Sequence, residues 1–235
     1  MLTPDGRVIM ISGASRGIGR AIAEHLHSKG YSVSLGMRDP DALAAQWAGD
    51  ARLFLCRFDA EDRATFALWL EATLARFGRL DGLVNNAGIG SRFSIETGDE
   101  ADLDRVIAVN VKAPLFLTRL CLPHLRKSGT GRIVNIGSLS GKRVRNDNIA
   151  YAMSKFALMA LSHGTRRIGW EDGVRVTAVC PSFVATELTA DVTKVARDDM
   201  IDPQDLAELV ATAIALPNTA AVAELLVNCT LEDML

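Results

Sequence analysis

Apolar residues in this chain come in short runs that stop at glycine, asparagine or proline, and between the runs the spacing becomes helical. Residues 7–12, 31–36, 52–58, 80–84, 131–136, 174–179 and 222–229 are runs of strand length, rich in β-branched residues. They are largely apolar without strict alternation, the pattern of strands covered on both faces. Helical spacing holds from the glycines after residue 12 to about residue 29, over 61–77 and 99–127, from 151 to about 170, and over 203–215. Asp39-Pro40 reads as a helix cap followed by proline at the first helical position. About seven strands alternating with six helices predict an α/β fold, one doubly wound parallel sheet with helices on both faces. There is no internal repeat, linker or low-complexity segment, so residues 1–235 are expected to form a single domain.

The polar positions that interrupt this pattern sit just past strands or near their carboxyl ends, where open parallel sheets bind ligands. After the first strand comes Gly13-Ala14-Ser15-Arg16-Gly17-Ile18-Gly19, leading into a helix. Strand, glycine turn and helix together suit a pyrophosphate, because the backbone can approach it closely and the helix N-terminus offers oriented N–H groups. The expected architecture is therefore Rossmann-like. The spacing G-x-x-x-G-x-G differs by one residue from the common dinucleotide fingerprint. At the end of the second strand stand Met37 and Arg38, where an acidic residue would read a ribose 2′-hydroxyl and an arginine suits a 2′-phosphate. With Arg16 in the glycine loop, two guanidiniums favour NADP(H) over NAD(H). Asp39 is the competing acidic candidate.

Tyr151 and Lys155, four residues apart in a helical segment, share one helix face. An ammonium fixed beside a phenol favours the phenolate, which fits Tyr151 to give and take a proton. Ser138, just past the strand 131–136, is placed to offer its hydroxyl to the same reacting oxygen.

Composition narrows the classes. Apolar residues make up 49% of the chain, and 26 basic against 28 acidic residues give a net charge of −2. Such a balance provides no global basic field for nucleic acid or an anionic membrane. Cys56, Cys121, Cys180 and Cys229 are far apart with no C-x-x-C, and His25 and His27 leave a helix on different faces, so no metal site is expected. The start, Met1 to Gly13, does not read as a signal peptide, and no apolar run approaches the roughly 20 residues of a membrane span. The expectation is a soluble cytoplasmic protein.

Taken together, the glycine loop, Asp59, Asn85-Asn86-Ala87-Gly88, Asn110, Ser138, Tyr151, Lys155 and Pro181 resemble the short-chain dehydrogenase/reductase family in its compact form, and 3-oxoacyl-ACP reductase-like members in particular. The resemblance runs from about residue 7 to residue 229. It implies hydride transfer between a nicotinamide and a carbonyl or secondary alcohol. It also implies roles. Tyr151 would protonate the carbonyl oxygen and Ser138 would orient it. Lys155 would assist Tyr151 and hold the nicotinamide ribose, while Asn110 would position a water relaying protons to Lys155. Gly13, Ser15, Arg16, Gly17, Ile18 and Gly19 would cradle the pyrophosphate, and Asp59 would meet the adenine. Asn86, Ala87 and Gly88 would pass the adenosine ribose, and Pro181 to Thr186 would reach the nicotinamide carboxamide. Ser12 stands where threonine is commoner. Ser182 stands where glycine is usual, so its Cβ is expected to alter the backbone near the nicotinamide.

Lys142, Arg143 and Arg145, with Arg92, are expected to border the substrate mouth, so the substrate is either anionic or faces a merely solvated basic loop. Phe116, Leu120, Phe156, Leu158, Met159 and Leu161 give helices 99–127 and 151–170 more apolar surface than one covered face needs. As in relatives, pairing of these helices across a two-fold axis is expected. Only six residues follow Cys229, where many relatives carry an assembling tail, so a homodimer fits as well as a homotetramer. The alternative function is a non-catalytic NADP(H)-binding sensor. An epimerase or dehydratase would need a larger substrate domain.

Overall fold

The computed structural model describes residues 1–231. Its strands are β1 (Val8–Ser12), β2 (Ser32–Met37), β3 (Leu53–Arg57), β4 (Gly82–Asn85), β5 (Arg132–Ile136), β6 (Arg175–Pro181) and β7 (Glu224–Val227). All pair in parallel, in the order β3-β2-β1-β4-β5-β6-β7. The chain winds outward from β1 to β3, then crosses back and winds from β4 to β7. The winding reverses between β1 and β4, and the ligand crevice of such a sheet opens at their carboxyl ends.

The helices are α1 (Gly17–Ser28), α2 (Asp41–Ala44), α3 (Ala64–Phe77), α4 (Glu100–Ile107), α5 (Ala113–Lys127), α6 (Ile149–Gly169) and α7 (Pro203–Ala215). Two cores cover the sheet. Ile9 and Ile11 of β1, with Val33, Leu35, Val84 and Val134, point to one core beside α1 and α7. Met10, Leu83, Ile133 and Val176 point the other way, to Phe66, Trp69, Leu117, Cys121 and Leu125. Strand geometry sends successive side chains to opposite faces, so apolar runs without alternation feed both cores. Each fully buried side chain of this kind contributes about 1.5–3 kcal/mol.

Some boundaries differ from the sequence expectation for identifiable reasons. The helix expected over 61–77 starts at Ala64, because Asp59 accepts from the Glu61 N–H (3.0 Å) and Asp62 from the Ala64 N–H (3.1 Å). These local bonds offer the backbone an alternative to helix. Asp39 accepts from the Ala42 N–H, and Pro40 already has helical dihedrals, although α2 is only 4 residues long. The helix expected over 99–127 is continuous from Glu100 to Lys127 but opens into a π turn at Ala108–Lys112. By length and composition this helix is apolar enough to cross a membrane, which the reading of apolar runs did not anticipate; half of its most apolar stretch is buried within the molecule.

Candidate active site

The glycine loop leaves β1 with Gly13 at φ +67° and reaches α1 through Gly17 at φ +55°, conformations that side chains with a Cβ rarely adopt. Gly13 is needed for space as well: a Cβ there would lie 2.9 Å from the Cα of Ala87. At Gly19 a Cβ would collide with the Asn86 amide and the Gly13 carbonyl. Asn86 Nδ2 donates to the carbonyls of Ser12 and Gly13, both at 3.0 Å, and so ties the β4 turn to the glycine loop. The Ser12 hydroxyl accepts from the N–H groups of Asn86 (3.0 Å) and Ala87 (3.1 Å), so serine here retains the hydroxyl's function. Arg16, the residue before α1, gives that helix no side-chain cap, and the first turn holds no acidic residue. Its first N–H groups are thus left for an anion, and the loop is a cradle that Cβ atoms would fill. Ser15 and Arg16 are exposed on the rim, with Ile18 half-buried. These residues fit a pyrophosphate.

Past the ends of β2 and β3, Phe58 N–H donates to the Met37 carbonyl (2.9 Å), so the strand pairing continues one step, with Arg38 beside Phe58 and Asp59 the residue after it. Met37 is buried and Arg38 is exposed.

The catalytic candidates converge from three elements. Asn148 caps α6, and its Oδ1 accepts from the Tyr151 N–H at 3.3 Å, which fixes Tyr151 in the first turn. One turn on, buried Lys155 donates from Nζ to the carbonyl of Ile136 at the end of β5 (2.9 Å). Its ammonium lies 5.4 Å from the centre of the Tyr151 ring. A Cβ on Gly88 would stand 3.8 Å from the same ammonium, so the Asn86-Ala87-Gly88 turn reaches Lys155. Ser138 follows β5 by two residues and caps the short 3-10 turn Leu139–Gly141, accepting from the Ser140 N–H at 3.1 Å. That turn packs on α6 through Gly141, whose Cβ would meet the Lys155 carbonyl at 2.7 Å. Cys180 lies near Ser138, but burial, with Glu224 adding to it, pushes its thiol up to about 11 and makes it a poor nucleophile.

Asn110 sits in the π turn, a device often found at functional positions. Its Oδ1 accepts from the Ile89 N–H (2.9 Å), and its Nδ2 donates to the Ile89 carbonyl (2.9 Å) and to Ser154 (3.1 Å). The amide is therefore a clamp between the β4 turn and α6.

Past buried Pro181, Ser182 takes a negative φ, as does every non-glycine residue among those described. Its hydroxyl accepts from the Cys229 N–H at 2.9 Å and joins the end of β6 to the segment after β7. Thr186 lies against the glycine loop, its Cγ2 3.2 Å from where a Gly17 Cβ would stand.

Residues 7–197 match the short chain dehydrogenase family. The chain belongs to that family. This short-chain dehydrogenase is 46% identical over 229 residues to an agropine synthesis reductase of Rhizobium rhizogenes, covering 97% of this chain and 53% of that protein. It thus spans about half the length of the curated relatives it matches first, 53% and 52%. A crystal structure of 3-ketoacyl-(acyl-carrier-protein) reductase from Brucella melitensis complexed with NADH is similar at a TM-score of 0.87 and 28% identity, over 96% of this chain and 98% of that one. A metagenomic short-chain oxidoreductase in complex with NADP is similar at 0.82 and 34% identity, over 98% and 100%. The resemblance read from the motifs and the doubly wound parallel sheet both stand.

Several contacts were not read from the sequence. The basic mouth is largely a set of partnered charges: Lys142 pairs with Glu224 (2.7 Å), which also meets His163 (2.7 Å), and Arg92 pairs with Asp191 (3.1 Å). Arg143 and Arg145 also have partners. The carboxylates are 50 or more residues away in sequence, so no local pattern announces them. Ser154, beside Lys155, was the one locally visible signal, a small polar residue on the face that Asn110 meets.

Proposed function

We propose that this chain is an NADP(H)-dependent reductase or dehydrogenase acting on a small carbonyl or secondary alcohol, with Tyr151 as the acid/base. The observation that carries this is the convergence of Tyr151, Lys155 and Ser138 beside the β4 turn, next to a glycine cradle suited to a pyrophosphate. Bound there, a nicotinamide cofactor supplies or accepts the hydride. Lys155, anchored on Ile136, holds its ammonium 5.4 Å from the centre of the Tyr151 ring, within reach of a cofactor ribose and of the reacting oxygen's surroundings. Tyr151 gives its proton to the carbonyl oxygen in reduction and takes it back in oxidation. Ser138 accepts from Ser140, so its own proton is available to that oxygen.

Exposed Arg38 after β2 and Arg16 on the rim support NADP(H) over NAD(H), the two cofactors that the similar solved structures hold between them. Lys142 and Arg92 are each balanced by a carboxylate, so charge alone does not select an anionic substrate.

The test pairs cofactor titration with turnover on a panel of ketones and aldehydes. Tyr151→Phe is expected to lower kcat by about 10²–10⁴-fold while NADPH still binds. Tight NADPH binding by the native protein with no turnover on any carbonyl would point to a sensor. Failure to bind either cofactor would overturn the reading at the glycine loop.

A further inference from the structure

We propose that Glu187 is a specificity-determining residue that tunes the choice between NADP(H) and NAD(H) by competing for Arg16. This rests on the reading that Arg16 meets the cofactor 2′-phosphate. Arg16 Nη1 pairs with Glu187 Oε2 across 171 residues of sequence, bridging the glycine loop and the turn that follows β6. Both side chains are 67% exposed, so the pair can open without disturbing a core.

The carboxylate is held ready from behind. Glu187 begins the 3-10 turn Glu187–Thr189, whose capping box joins Thr186 and Thr189. Arg197 donates to the Thr186 carbonyl at 2.8 Å, and Thr186 itself rests on Gly17. Opposite it, the first turn of α1 holds no acidic residue that could share Arg16. A guanidinium recognises a carboxylate or a phosphate with the same set of donors, and Arg16 turned to place Nη1 on Glu187 has part of its charge and its orientation committed there, so the two anions compete for it. With NAD(H), Arg16 keeps Glu187, and the turn after β6 stays strapped to the glycine loop. With NADP(H), the 2′-phosphate must take Arg16 from Glu187, and the strap is released. Glu187 therefore penalises the phosphorylated cofactor in particular, by about two- to five-fold, the effect of an exposed ion pair.

The experiment is calorimetric titration of NADP+ and NAD+ into the full chain and into Glu187→Gln, Arg16→Ala and the double variant. Expected is a two- to five-fold tighter NADP+ constant in Glu187→Gln, a much smaller change for NAD+, and no effect of Glu187→Gln once Arg16 is alanine. If Arg16→Ala weakens NADP+ selectively but Glu187→Gln leaves the NADP+/NAD+ ratio unchanged, competition is wrong while the 2′-phosphate reading stands. If Arg16→Ala leaves that ratio unchanged, the reading of Arg16 fails and the proposal with it.

Discussion

Ser12 shows how much a single hydroxyl can carry. It accepts from two N–H groups of the β4 turn and also donates to the Val84 carbonyl at 3.3 Å, all within a 2%-exposed environment. Alanine there would leave the N–H groups of Asn86 and Ala87 without an acceptor, a loss of about 1–3 kcal/mol for an unsatisfied buried group. Ser12→Ala should therefore unfold at lower denaturant and also bind cofactor more weakly, because the same turn braces the glycine loop. Threonine keeps the hydroxyl and should lose much less; equal midpoints for the alanine and threonine variants would remove this account. At this scale the sequence was most readable where chemistry demands one residue type. Gly13 and Gly17 are legible because their backbone favours glycine, and Gly19 because a Cβ there would collide with Asn86 and Gly13. Glu187 and Asp191 were not, because a surface carboxylate looks the same whether or not an arginine faces it.

Among elements, the strands were legible because burial on two faces leaves continuous apolar runs, and their ends differ from expectation by only a few residues. The π turn was not, since Ala108–Lys112 has ordinary helical residues and the extra residue per turn reflects what Asn110 must reach on either side. Nor was the tie between the 3-10 turn after β5, α6 and β7. Lys142 follows the 3-10 turn that Ser138 caps, His163 is on α6, and both meet Glu224 of β7. The Lys142 hydrogen bond, with His163 adding to it, holds the Glu224 carboxyl below its ordinary 4.5 against the opposite pull of burial. Because the folded value is the lower one, this carboxylate's stabilisation is complete above 4.5 and is lost as the pH falls through the folded value. Melting temperature should therefore drop more steeply below that point in the native protein than in Glu224→Gln, which should be the less stable of the two at neutral pH. For a chain of this size each kcal/mol corresponds to about 2–4 °C. Parallel acid profiles for the two proteins would show that Glu224 adds nothing.

For the whole molecule, the expected two-fold pairing turns on which apolar residues the fold uses internally. Of those singled out in the sequence, Leu158 and Met159 are buried in the monomer, whereas Leu120 is 38% and Phe156 43% exposed. Leu115 and Met153, on the same two helices, are also exposed, at 42% and 52%. Beside them Phe116, Leu120 and Pro123 line an open groove with Arg63 and Arg119, with a volume near 390 Å³. Arg63 stacks over Phe116 at one wall of this groove, its guanidinium carbon 3.3 Å from the ring centre. Helix periodicity explains why sequence alone could not divide these residues: an apolar helix facing a sheet and one facing a second copy carry the same stripe. The expected particle is a dimer or tetramer of the 25.3 kDa chain that buries α5 and α6. Light scattering coupled to size exclusion should give a mass of at least twice the chain, and Leu120→Arg with Phe156→Glu should reduce it to that of one chain. Retained cofactor binding by the reduced species would show that the cradle is intact without its partner, whereas a native protein that runs as one chain would leave this apolar face uncovered and end the pairing argument.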